Sequence, residues 1–335
     1  MRNIEPMRWL ALAGTALVSG AAVLCAAPAP AFGAAPTPEA QGFALERLLQ
    51  AAPGSGFIAY DDLRWPAALS GGVSISLGYA HAPLSFDDGQ GGSLLVVRHQ
   101  TSADLAFAVG WGRLRAGLRF SSPVYVAGDS GAAQGYRFTA PVANLEHDPD
   151  ALSDLAVSFD WRLLGDAQSP QRFAASAVAW VPSGERKGYA TDGTWRGMAR
   201  LLAAGDQGAV TWAGTLGVHL RPLDDSPVPG APRGSEGVFG AAASYRLAPA
   251  ALPAGAALAV GPEVFGATAL TAPFGSSTTA LEALLAGRLD TVPYPGATLR
   301  FKLGVGAGLH ARFGAPAFRV VLGVELFGAA ADAKE

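Results

Sequence analysis

Charged side chains recur at even spacings inside otherwise apolar stretches of this chain, and that spacing is its main chemical signal. Arg115 and Arg119, Asp160 and Arg162, Arg196 and Arg200, Arg300 and Lys302, and Arg319 and Glu325 each share such a stretch. Arg221, Glu263, Glu282 and Arg288 fall in stretches of the same kind, as do Asp104 and Arg246. Residues two apart in a strand point to the same face, so these positions would make one charged face opposite an oily one. With both signs present, two kinds of chemistry follow. The charges form an ion-pair lattice that fills and seals a narrow interior, or they line a constriction that selects solutes. An arginine-dominated constriction would favour anions.

Other reactive patterns are weaker. His219 and His310 would have to find a serine to act as a hydrolase, and a histidine hydrogen-bonded in a polar interior is the simpler reading. Glu146, His147, Asp148 and Asp150 would offer oxygens to calcium, although a solvated acidic loop explains them as well. No Gly-x-Ser-x-Gly elbow, His-Glu-x-x-His helix or phosphate-binding loop occurs. Gly304, Gly306 and Gly308 alternate inside a strand, where they make room on the inner side. No catalytic residue, metal site or cofactor is assigned.

The elements that must carry the charged face are strands. Val73, Ile75, Leu77 and Tyr79 alternate with small or polar residues, as do Leu114, Ala116, Leu118 and Phe120, and Leu299, Phe301, Leu303 and Val305. Period two predicts about twelve strands, at 73–81, 93–111, 113–126, 155–164, 172–181, 194–204, 208–221, 236–247, 256–268, 279–290, 297–312 and 317–327. Most are long enough for a tilted strand to cross a bilayer. The oily rows, such as Leu105, Phe107, Val109 and Trp111, Leu155, Val157, Phe159 and Trp161, Val210, Trp212, Leu216 and Val218, or Phe318, Val320, Leu322 and Val324, contain no charge. A Lys or Arg there would cost about 2–4 kcal/mol at the midplane. Alternation fails at Leu94 to Arg98 and at Phe173 to Val181, where a bulge or an edge at the interface is expected. Tight connections such as Trp111-Gly112-Arg113 alternate with long ones at 127–154, 182–193 and 222–235.

Composition agrees with that class. Of 335 residues 50% are apolar and 15% charged, against about a quarter charged in a soluble domain. Beyond the first residues no run of about 18 apolar residues appears, so helical spans are not supported. The net charge of −3 leaves no basic field for nucleic acid. Residues 1–31 read as a secretory signal, with Arg2 and Arg8, an apolar run and Ala29-Pro30-Ala31 as the cleavage site. The lone Cys25 falls inside it, so the mature chain would carry no disulfide. Phe43, Leu45, Leu48 and Leu49 predict a short amphipathic helix over 38–50, placed on the periplasmic side or as a small plug, and 56–65 a short extended piece. The expected organisation is therefore a signal at 1–31, a periplasmic segment with a short helix at 32–71, a barrel at 72–328 and a tail at 329–335.

Gly261-Pro262-Glu263-Val264-Phe265-Gly266, Leu281-Glu282-Ala283-Leu284-Leu285 and the run from Gly304 to Gly314 into Phe318-Arg319-Val320-Val321 resemble the amino-terminal barrels of large OmpA-like outer-membrane proteins. Phe43-Ala44-Leu45-Glu46-Arg47-Leu48 and Pro182-Ser183-Gly184 look like the same family, which shades into the barrels named for phenol-degradation meta-pathway genes. The resemblance spans about residues 43 to 327 and implies a barrel of twelve or so strands in the outer membrane. A peptidoglycan-binding domain often follows in that family, but no such region is present here, so a cell-wall role is not carried over. The chain is thus read as an all-β, antiparallel, up-and-down transmembrane β-barrel with a short N-terminal helix. It would be a porin-like channel or small-solute transporter, partnered by outer-membrane lipid and by the barrel-assembly machinery that recognises a final strand ending at Leu326 and Phe327. A structural or surface-interaction barrel with a sealed lumen is the first alternative, and an outer-membrane hydrolase the second.

Overall fold

The computed structural model describes residues 37–87, 92–141, 143–144, 152–223, 234–248, 252, 256–294, 296–310 and 314–329. The signal at 1–31, the acidic positions 146–150 and the tail beyond residue 329 lie outside them. Among the described residues fifteen strands follow one another: β1 (Ser70–Asp87), β2 (Ser93–Trp111), β3 (Leu114–Ala127), β4 (Gly131–Ala133), β5 (Tyr136–Phe138), β6 (Ala143–Asn144), β7 (Leu155–Leu164), β8 (Gln171–Val181), β9 (Arg196–Gln207), β10 (Val210–Leu220), β11 (Glu236–Leu247), β12 (Ala257–Ala269), β13 (Thr279–Tyr294), β14 (Ala297–His310) and β15 (Phe318–Ala329). Strands β2, β7 and β11 fall where the alternation puts them.

Twelve of these, all but the short β4, β5 and β6, pair antiparallel with their chain neighbours. The ring closes where β1 meets β15, in register from Ser70 opposite Ala329 to His81 opposite Phe318. Closure leaves no unpaired edge, which a bilayer demands of any strand that crosses it. The end of the barrel with Ser70 and Ala329 carries the tight turns, and the opposite end carries the long loops. They are called the turn end and the loop end below.

The outer surface is oily along its length. Leu105, Phe107 and Val109, Val157 and Phe159, Leu216 and Val218, and Leu322 and Val324 are all exposed, as the parity predicted. Aromatic side chains ring both margins: Trp111, Trp161 and Tyr245 at the turn end, Tyr125, Trp195 and Phe274 at the loop end. That band with its two girdles is what lipid and its headgroup regions select.

The two stretches of weak alternation have separate causes. Between β1 and β2 the register shifts after His81 and again after Leu84, a bulge that turns Val96 and Val97 inward. In β8 the alternation is intact, with Phe173 outward and Arg172, Ala174, Ser176, Val178 and Trp180 inward. The inward residues are partly apolar because Leu49, inside the barrel, packs against Val178 and Trp180.

Leu49 belongs to the main departure from expectation. Residues 38–50 form no helix and residues 56–65 no strand, and of the two expected places, on the periplasmic side or as a small plug, the described part of the segment takes the second and lies within the lumen. It enters at the loop end, where Ala40 N–H donates to the Arg137 carbonyl (2.8 Å), and reaches the turn end, where the Ala67 carbonyl accepts from Gly112 N–H (2.8 Å). A helix bonds its backbone to itself, whereas here the wall supplies the partners, so the helix has nothing to gain. Phe43 and Leu45 instead join Leu84, Phe86, Val96, Val97, Phe138, Tyr189 and Leu223 in a small apolar core across the loop end.

The outward assignment has a direct test. Leu216, at the middle of β10 and 65% exposed, should tolerate arginine poorly. Leu216→Arg is expected to lose about 2–4 kcal/mol in urea unfolding from lipid vesicles. Ser76→Ala, on the inner face of β1, should lose no more than about 1 kcal/mol.

Candidate functional site

The lumen is where the charged face can act, and the buried stretch from Phe43 to Trp65 lies in it. Starting at the turn end, Arg162 of β7 donates to the carbonyls of Leu63 (3.2 Å) and Trp65 (2.7 Å), and Arg172 of β8 to that of Asp62 (2.8 Å). The guanidiniums of Arg115 and Arg162 both lie over the Trp65 ring, at 4.4 and 4.7 Å from its centre. Arg115 also bridges Asp61 of the segment (2.7 Å) and Asp160 of β7 (2.8 Å). Opposite, Arg300 of β14 reaches the carbonyls of Gly54 (2.8 Å) and Ser55 (2.5 Å) while it pairs with Asp290 (2.6 Å), and its guanidinium covers the Phe327 ring.

Midway along the lumen the wall grips a hairpin-like bend. Glu263 of β12 accepts from the N–H groups of Ile58 (2.8 Å) and Ala59 (2.7 Å), one on each carboxylate oxygen. Lys302 donates to the Phe57 carbonyl (2.7 Å) and to Glu325 (2.6 Å), which itself accepts from Gly54 N–H (3.1 Å). Hydrogen bonds to charged groups are the stronger kind, about 1.5–3 kcal/mol each. Two glycines let the segment sit this close. A Cβ on Gly304 would stand 2.5 Å from Ile58 Cδ1, and one on Gly240 1.9 Å from the Tyr60 hydroxyl, which donates to the Val264 carbonyl. Gly304 therefore makes room in the lumen, as its position in an alternating strand suggested.

At the loop end the grip is ionic. Arg221 makes a two-pronged pair with Asp192 (2.8 and 2.7 Å) and bonds Glu236 (2.8 Å), and all three are essentially removed from solvent. Arg47 of the segment shares Glu236 (3.0 Å), and Ala44 N–H donates to Asp192 (2.7 Å). Burial works against the Asp192 carboxylate, but the hydrogen bonds and charge of Arg221, the charge of Arg196 and the Ala44 N–H outweigh it and hold the group below its ordinary value of 3.8. Arg319 bridges Glu46 of the segment (3.0 Å) and Glu282 of β13 (2.6 Å), and Arg196 pairs with Asp154 (2.8 Å).

Arg115, Arg119, Asp160, Arg162, Arg196, Arg200, Glu263, Glu282, Arg288, Arg300, Lys302, Arg319 and Glu325 point inward from strands, and Arg221 follows β10 directly. Arg246 is the departure, since it is exposed at the turn-end rim, on a cavity of about 530 Å³ bordered also by Arg64, Trp65, Asp290 and Phe327. Asp61, Asp62, Glu46 and Arg47 escaped notice because nothing in their spacing says that they lie inside a barrel. Arg172 and Asp290 were within reach, because each continues the inward parity of its strand. His219 lies against Trp180 and 3.5 Å from Glu236, and His310 Nε2 is 2.5 Å from the Ser276 carbonyl oxygen.

Two consequences are measurable. Arg221→Met leaves Asp192 and Glu236 buried without their main partner, so it should cost about 3–5 kcal/mol in urea unfolding. A carboxylate held below 3.8 adds its full stability above that value and loses it as the pH falls through the folded-state value. The wild-type urea midpoint should therefore drop as the pH is taken below about 3.8, and Asp192→Asn should flatten that acid limb.

No family model matches the chain, and no curated protein matches it. Among solved structures it is similar to the COG4313 outer membrane channel from Pseudomonas putida F1, at 14% identity over 84% of this chain and 100% of that one, with a TM-score of 0.52. The NanC porin (8% identity, 77% and 100% covered, TM-score 0.45) and the CymD monoaromatic hydrocarbon channel (11%, 86% and 100%, 0.43) also align, too loosely to bear weight. The resemblance to OmpA-like barrels thus holds only at the level of the outer-membrane barrel kind. The chain has the fold of an outer-membrane β-barrel.

Proposed function

We propose that this chain is an integral outer-membrane channel for small solutes, closed by its own residues 37–65 and opened when that segment lets go of the wall. On this reading the tight turns face the periplasm and the long loops the exterior, as in outer-membrane barrels generally. The observation that carries the proposal is the way the segment is held. Apart from a bridge between Glu39 and Arg137, it shares no ladder with the described strands, and its polar contacts with the wall are side chains gripping backbone and ion pairs, beside apolar packing such as that of Leu49 on Val178 and Trp180. The wall is hydrogen-bonded all the way round without it. Such contacts can be exchanged for water without breaking the barrel.

Empty space remains above and below the midpoint, with cavities of about 140 and 60 Å³ beside the segment and one of about 530 Å³ at the turn end. The fold shared with an outer membrane channel supports the same reading. Insertion by the barrel-assembly machinery is part of it, supported by the outward row Phe318, Val320, Leu322, Val324 and Leu326 of the last strand. A barrel permanently sealed for a structural or surface role is the second reading, favoured by the apolar core across the loop end.

Planar-bilayer recording separates the two. The wild-type protein should be closed most of the time with brief openings. Lys302→Ala and Arg300→Ala, which release the carbonyls of Phe57, Gly54 and Ser55, should raise the open probability several-fold. Silence from folded wild-type protein and from both variants would leave the sealed barrel.

A further inference from the structure

We propose that the two cavities beside the N-terminal segment form one binding site for a small organic monoanion with an apolar body, whose charge Arg119 and Arg200 hold. The inference rests on the channel reading and deepens it by naming a solute class.

The argument begins with which guanidiniums are left over. Arg115, Arg172, Arg196, Arg221, Arg300 and Arg319 all pair with carboxylates on the wall, the loops or the segment. Arg162 has no such pair but meets three carbonyls, and Arg288 stands 3.8 Å from Asp62 and 3.9 Å from Asp290. Arg200 has neither: it donates to Ser176 Oγ (3.0 Å), its Nε has no partner, and no carboxylate lies within 4.0 Å of it among the described residues. Arg119 reaches only the carbonyl oxygens of Gln50 and Ala51. A partly buried guanidinium carries five donors and a full charge, so it is costly to leave in this state without an anion.

Acids on the same walls meet that need only from a distance: among the described residues none bridges either arginine within 4.0 Å, although the charge of Asp104 acts on Arg119 and that of Asp160 on Arg200. Glu46 is engaged by Arg319, Asp154 by Arg196, Glu236 by Arg47 and Arg221, and Asp61 and Asp160 by Arg115. Asp104 accepts from Gln50 Nε2 (3.2 Å). Arg119 and Arg200 border both cavities, of about 140 and 60 Å³. The larger space then continues between apolar side chains, namely Leu48, Leu49, Trp180, Met198, Val238 and Phe265. A charged end against two arginines and an oily end among these six is the outline of a short carboxylic acid in its ionised form. Its two oxygens would accept from the two guanidiniums. The volume admits a short-chain acid and refuses a lipid.

The test uses the purified, folded full chain in detergent and reads binding by calorimetry, with hexanoate as the probe and 1-hexanol as its uncharged counterpart. Hexanoate should bind saturably and at least tenfold more tightly than hexanol. Arg200→Gln and, independently, Arg119→Gln should each weaken hexanoate at least tenfold, and Arg200→Lys should recover part of the loss. Arg246→Gln, at the exposed rim, should change nothing. Equal binding of acid and alcohol, or hexanoate binding unaltered in both glutamine variants, would overturn the proposal. Because binding is read on closed protein, the two readings fail separately. A conducting barrel with no arginine-dependent binding removes the site alone, and a silent barrel that binds hexanoate through Arg200 removes the channel alone.

Discussion

Charge enclosed by a barrel wall must be matched inside that wall, and the rest of this structure follows from that constraint. A lumen lined by Arg115, Arg162, Arg172, Arg300, Lys302 and Arg319 cannot be filled with side chains of the wall alone, because the matching carboxylates Asp160, Asp206, Asp290, Glu325 and Glu282 leave donors over. Backbone carbonyls make up the difference. The segment from Ala44 to Trp65 offers them in sequence, and for this reason it runs irregularly: a helix or strand would have spent the same carbonyls on itself. Glu263 shows the complementary case, a buried carboxylate whose partners are two N–H groups of Ile58 and Ala59.

The two ends of the lumen are held by different physics. At the turn end the segment is held by hydrogen bonds to its carbonyls, by the Arg115–Asp61 and Arg64–Asp206 ion pairs and by two arginines over the Trp65 ring, bordering an open cavity. At the loop end an apolar cluster around Phe43 and Leu45 lies beside the buried group of Arg47, Asp192, Arg221 and Glu236. Breaking a pair in that group exposes the survivor to a low dielectric, so the loop end resists piecemeal loosening.

Much of the wall was legible in the sequence, because lipid imposes the same rule at every second position. Leu155 to Trp161 and Leu216 to Val218 could be assigned outward from spacing alone, and the charged positions inward by the same parity. The disagreement at Phe173 to Val181 was informative: Val178 and Trp180 broke the polar-inside rule because something apolar, Leu49, was already inside. The segment itself was not legible. Phe43, Leu45 and Leu48 have a spacing compatible with a helix, and only the lumen's unsatisfied donors, which depend on twelve strands closing, decide against one. Arg119 and Arg200 were visible as inward charges, but their want of a carboxylate partner is a property of the assembled interior.

The course of residues 37–69 also bears on the order in which the molecule can be made. This stretch passes from the loop end to the turn end and only then becomes β1, whose edges are closed by β2 and, last in the chain, by β15. A ring completed first would have to be threaded by a peptide carrying Phe43, Leu48, Phe57 and Trp65. It is simpler for the growing sheet to curl around a peptide already lying along its charged face, so that the seam between β1 and β15 is sewn over it. The occupant of the lumen would then serve as the former on which the barrel takes its diameter.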